Sequence, residues 1–148
     1  MSDEAIKAQK RAKAAGKRAE ASRLSSQVNM AQSNKNQIDQ RIQKLEKAIR
    51  ELTREISNVH QLKSTVSSQL KSISENNFKG TRRNKYNEKV RKVESDLSKY
   101  VTKNQENLQT LQRKLTSLQE EAQREAMTIS LLNSQISALL SAAISLDG

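Results

Sequence analysis

The chain has 148 residues and a net charge of +11, with no proline, no cysteine, three glycines and an apolar fraction of 34%. A mean hydropathy of −0.85 with one Phe, two Tyr and no Trp is too little apolar material for a layered α/β domain, but it suits a few long helices with narrow apolar seams. The absence of cysteine excludes disulfides and thiol chemistry.

The charge is unevenly placed. Residues 1–35 carry eight basic and three acidic side chains, and residues 79–92 carry seven basic side chains against Glu88. Residues 36–78 and 93–148 nearly cancel each other, at +2 and −2. The cations therefore sit in an N-terminal arm and around a central turn.

In chain order, residues 1–32 read as a basic Ala/Lys-rich arm, helical or frayed, with Ala12, Ala14, Ala15, Ala19, Ala21 and Leu24 as its apolar offering. Its start, Met1-Ser2-Asp3-Glu4, lacks the basic-then-apolar order of a secretory signal peptide. Residues 33–76 form a first helix. From Ile38 its apolar residues fall four and three apart: Ile42, Leu45, Ile49, Leu52, Ile56, Val59, then Val66, Leu70 and Ile73. That heptad frame, broken only at Lys63, predicts a helix packed in coiled-coil fashion. Leu24, Val28 and Ala31 extend it upstream.

Residues 77–81 form a turn. Asn77 and Gly80 tolerate left-handed backbone, and Thr81 suits the cap of the following helix. Residues 82–147 are the second helix, and the whole is one domain. Its seam begins Tyr86, Val90, Val93, Leu97, Tyr100 and Asn104. A new frame then opens at Leu108, with Leu111, Leu115, Leu118, Ala122, Ile129, Leu132, Ile136, Leu139, Ala143 and Leu146. The extra step between Asn104 and Leu108 predicts a stutter that unwinds the supercoil locally. The fold class is therefore all-α: a long antiparallel two-helix hairpin with coiled-coil-like packing.

The stretch from Ala126 to Leu146 carries no charge, but Ser, Thr, Asn and Gln supply eight of its 21 residues. Its length suits a membrane span, yet that polarity and the lack of a basic flank argue for a helix covered by neighbours instead. Two apolar stripes are expected on it, Ile129/Leu132/Ile136/Leu139 and Met127/Leu131/Ala138/Leu140/Ile144. Together they form a partner-binding face of Met127, Ile129, Leu131, Leu132, Ile136, Leu139, Leu140 and Ile144. The hairpin seam is expected from Ile42, Leu45, Ile49, Leu52, Ile56 and Val59 against Leu108, Leu111, Leu115 and Leu118.

Chemistry-bearing residues are sparse. His60 is the only histidine and lies beside the seam, so no His-based metal cluster or catalytic dyad is available. Glycines at 16, 80 and 148 make no phosphate-cradling loop. No enzymatic activity, cofactor or metal is expected. The basic turn lacks the aromatic platform of a single-strand reader and reads as a solvated helix face, so neither nucleic acid nor stable membrane insertion is expected.

Phe78-Lys79-Gly80 between two long helices, with Tyr86 six positions after the glycine, resembles the WXG turn of the helical-hairpin (ESAT-six-like) proteins of type VII secretion. The longer YwqH-like branch is the most similar, since its first helix carries a Lys-rich heptad segment like Ile42-Gln43-Lys44-Leu45-Glu46-Lys47-Ala48. The likeness covers roughly residues 33–146. It implies a non-enzymatic adaptor that binds the helical N-terminal domain of an LXG-domain toxin in Gram-positive bacteria, alone or with a second small helical partner. Such an adaptor presents the toxin to the secretion machinery. Phe78, Gly80 and Tyr86 would then pack the hairpin tip, and the protein would be cytoplasmic before export, leaving or not leaving with its cargo. Phe stands where Trp is usual. The Tyr-x-x-x-Asp/Glu export signal is absent, because Val90 follows Tyr86 and Asn104 follows Tyr100 at the fourth position. Other readings of the residues are a self-associating structural coiled coil, or a basic coiled coil that binds nucleic acid or anionic membrane.

Overall fold

The computed structural model describes residues 2–70 and 80–148, which are helical almost throughout. Helix α1 runs Asp3–Thr65 and passes into a π-helical turn, Val66–Leu70. Helix α2 runs Thr81–Asp147. The two long helices pack against each other, an all-α arrangement consistent with a helical hairpin. The expected turn residues Asn77 and Phe78, and the seam residue Ile73, lie outside the described residues.

Local chemistry explains where the helices start. Ser2 caps α1: its hydroxyl accepts from the Ala5 amide at 3.2 Å, and its carbonyl from Ile6 at 3.0 Å. Asp3 and Glu4 in the first turn complement the positive end of the helix dipole. At α2 the cap position falls to Gly80, whose carbonyl takes the Asn84 amide at 3.0 Å, rather than to Thr81. Gly80 has φ 65°, a conformation that a Cβ disfavours, which is why glycine stands there. The basic arm belongs to α1, which continues through residues 32 and 33 without a break.

Each helix contributes a segment to each of two compact units. Residues 1–42 and 117–148 form one. Most of its shielded side chains are alanines, Ala14, Ala21 and Ala31 on α1 with Ala122 and Ala143 on α2, joined by Leu24, Ile38 and Leu118. Ala14 and Ala143 are completely covered. An Ala-rich seam lets two backbones approach closely, so the arm packs with few long apolar side chains. The Arg18 guanidinium pairs with the Asp147 carboxylate across this unit.

Residues 43–116 form the other unit, with Ile56, Val66, Val90 and Val101 buried. Leu45, Ile49, Leu52 and Val59 on α1, and Leu97, Leu108, Leu111 and Leu115 on α2, are half-buried along the same seam. The expected stutter is absent here. Covered positions on α2 run 90, 94, 97, 101, 104, 108, 111 and 115 in one unbroken frame. Glu94 and Val101 face inward, while Val93 and Tyr100 are 43% and 38% exposed. Keeping one frame avoids local unwinding of the supercoil, at the cost of a carboxylate in the seam.

Candidate partner-binding surface

The uncharged end of α2 carries all eight apolar side chains expected to bind a partner, and helix geometry sorts them into three groups. Ile129, Leu132, Ile136 and Leu139, together with Leu146, recur four and three apart and are half-buried in the seam against the arm of α1. Met127 and Leu131 are 66% and 60% exposed and share one flank with Ala138. Leu140 and Ile144, 42% and 67% exposed, share another flank.

Leu131 and Leu140 are nine residues apart, which is two and a half turns, so they point to opposite sides of the helix. The second stripe expected from the sequence is therefore two separate strips, one on either side of the seam. The eight residues form no single face. Four close the intrachain packing, and four stand in solvent.

A shallow recess lined by Ala126, Ile129, Ser130, Asn133, Ser134 and Ser137 lies on the Leu140/Ile144 flank, since Asn133 and Ser137 stand one heptad before those residues. Its hydroxyls and amide offer both donors and acceptors. This end of α2 also contains a stretch long and apolar enough to cross a membrane by length and composition, of which 6% is buried.

Near the start of α2 the expected turn motif is described in part. The Tyr86 hydroxyl donates to the Leu70 carbonyl, joining the end of the π-helical turn to the first turns of α2. The Arg83 guanidinium lies 5.9 Å from the Tyr86 ring centroid, within cation–π range. Phe78, the third member of the motif, lies outside the described residues.

Farther along the same unit the Tyr100 hydroxyl donates to the Glu55 carboxylate, a bond that heptad spacing does not reveal. That bond, with some loss of hydration and the nearby negative charge, pushes the phenol above its ordinary range. In the arm, the hydrogen bond from Arg23 holds the Glu20 carboxyl below its ordinary value.

His60 is exposed on α1. Among the described residues, no group of three or more His, Asp or Glu side chains is arranged to hold a metal ion. The arrangement offers surfaces: a thin closed seam, two apolar strips, and cations on the outer faces. No family profile matches this chain, and no curated protein matches it.

Proposed function

We propose that the chain is a non-enzymatic helical adaptor. Its two helices run antiparallel as a WXG-type hairpin, and it binds the helical N-terminal domain of an LXG-type toxin for type VII secretion. The observation that carries the binding role is the pair of apolar strips, Met127/Leu131 and Leu140/Ile144, left in solvent on a helix end without charge. A helix apolar on its seam and on both flanks suits a bundle with further helices on each side.

The antiparallel course is supported within each unit by itself. In one, Arg18 meets Asp147, whereas Asn34, Gln37, Ile38 and Arg41 share a recess with Glu121 and Glu125. In the other, Glu55 meets Tyr100, whereas Leu70 meets Tyr86. In both, rising numbers on α1 meet falling numbers on α2. The link to secretion rests on the resemblance carried by Phe78, Gly80 and Tyr86.

The test is co-purification of the tagged chain from a Gram-positive host at moderate and high salt, beside a variant with Leu131→Ser and Ile144→Ser. Salt-resistant recovery of a larger protein with a helical N-terminal domain, lost in the variant, is the expected result. Recovery of the chain alone as a stable homodimer would return it to a self-associating coiled coil.

A further inference from the structure

The basic cluster after the central turn is a line rather than a patch. Arg82, Lys85, Lys89, Lys92, Lys99 and Lys103 follow one another on α2 at steps of three and four, with Asp96 filling the one gap in the series. That spacing puts all seven on one face. All seven are exposed, and over 21 residues the line is about 31 Å long at 1.5 Å per residue. None of the six cations makes an ion pair with a described residue.

This line works against the helix that carries it. Like charges three and four apart repel. Cations in the opening turns oppose the positive end of the dipole, and the first turn of α2 has no acidic residue to offset them. The arm of α1 also carries cations three and four apart that pair with no described residue, Lys7, Lys10, Lys13 and Lys17, but its opening turn is offset and pairs form farther on. The first turn of α1 is acidic, and Lys35–Asp39 and Lys47–Glu51 pair four apart. Exposed Glu88 and Asp96, three or four residues from Lys85, Lys92 and Lys99, relieve part of this repulsion, and the cationic excess that is left is a local cost that an anionic surface would offset.

We propose that this face of α2 docks the protein peripherally on an anionic lipid surface. A straight row of cations touches a plane at every member at once, whereas the curved backbone of a duplex meets a straight rod at only a few phosphates. Five of the six are Lys, a point charge suited to headgroups, rather than Arg, whose fork suits carboxylates and bidentate phosphate contacts. Val93 stands exposed on the flank between this line and the seam, an aliphatic side chain suited to the headgroup boundary. The inference is independent of the adaptor reading, since it uses neither the C-terminal strips nor the turn motif.

The test is co-sedimentation of the full chain with phosphatidylcholine vesicles and with vesicles containing about 30% phosphatidylserine, at about 0.1 M and about 0.5 M salt. Binding is expected only with phosphatidylserine and only at the lower salt. Each cation near the surface is worth roughly a fivefold change in partitioning, so Lys85→Gln, Lys89→Gln and Lys92→Gln together should weaken binding about a hundredfold. Gln keeps helix propensity and removes the repulsion, so helicity by circular dichroism should be retained. A control with Lys44→Gln, Arg50→Gln and Arg54→Gln removes the same charge from α1 and should bind nearly as well as the parent.

Equal loss in both variants would overturn the proposal, because net charge and not the line would then be responsible. Binding to neutral vesicles, or binding abolished by Leu131→Ser and Ile144→Ser, would overturn it in favour of insertion through residues 126–146. Tighter binding to soluble duplex DNA than to the anionic vesicles would overturn it as well.

Discussion

Leu131 and Leu132 are neighbours in the chain with opposite surroundings, and truncating each to Ala separates folding from recognition. Leu132 is half-buried in the seam, while Leu131 is 60% exposed. Ala is the best helix former, so neither change penalises the helix itself. A fully buried Leu→Ala costs about 2–5 kcal/mol, and half coverage brings Leu132→Ala to about 1–2 kcal/mol. Leu131→Ala should stay within about 0.5 kcal/mol of the parent. In a chain of this size each kcal/mol moves Tm by roughly 2–4 °C, so Leu132→Ala should melt about 3–6 °C lower and Leu131→Ala within about 2 °C of the parent. Thermal melts followed by circular dichroism, repeated over a tenfold range of protein concentration, check both values. On the adaptor reading, Leu131→Ala weakens partner capture although its melt is unchanged. Equal destabilisation by both changes, with a concentration-dependent Tm, would refute the reasoning, since Leu131 would then be buried against a second copy of the chain.

Other outcomes follow from single residues. Gly→Ala should act with opposite signs at two sites: Gly16, inside α1 with open space around it, should gain about 0.5–1 kcal/mol, whereas Gly80, at φ 65°, should lose about 1–2 kcal/mol; urea midpoints read both. Ala143→Leu inserts a branched side chain where nothing is exposed and should cost about 1–3 kcal/mol, while Ala138→Leu on the outer side should be nearly neutral in the same assay. In a Tyr86→Phe background, Tyr100 is the sole tyrosine, and its phenolate absorbance should appear above the ordinary pKa of 10.0; Glu55→Ala should bring it back towards that value. Because the folded value is the raised one, the Tyr100–Glu55 contact contributes below the unfolded pKa and is lost as pH rises through the folded one, so the gap in Tm between the two backgrounds should close at strongly alkaline pH.

Much of this fold is legible in the sequence where side chains are large. Ile38 through Val66 keep one frame, and each is covered or half-covered as the period requires. Phase becomes ambiguous where apolar residues occupy neighbouring positions. Val93 or Glu94, and Tyr100 or Val101, each satisfy a spacing of three or four from Val90 and Leu97. Apolarity favours Val93, whereas a frame continuous with Leu108 requires position 94. Packing against α1 selects the continuous frame, and one half-buried carboxylate is tolerated to keep it. The arm fails differently. Ala14 and Ala21 look like a weak partner surface on a hydropathy scale, but close backbone approach depends on small size rather than on apolar area. The division of the C-terminal face into seam and strips could have been read from the angle between Leu131 and Leu140.

The seam and the two outer surfaces answer to different constraints. The described core contains no large side chain that is fully buried, so stability is spread thinly over many seam contacts in both units. Nothing in that packing requires Met127, Leu131, Leu140 or Ile144 to be apolar, since polar residues at those sites would leave the seam intact and raise solubility. Nor does it require six cations on one face between Arg82 and Lys103, where a more even mix of charges would stabilise α2. Each surface therefore departs from what folding alone favours, one through exposed apolar area and the other through a net excess of like charge. They also lie in different units, the strips within residues 117–148 and the cationic line within residues 43–116. Substitutions in one should leave the other working, so partner capture and lipid binding can be removed one at a time from a chain that still folds.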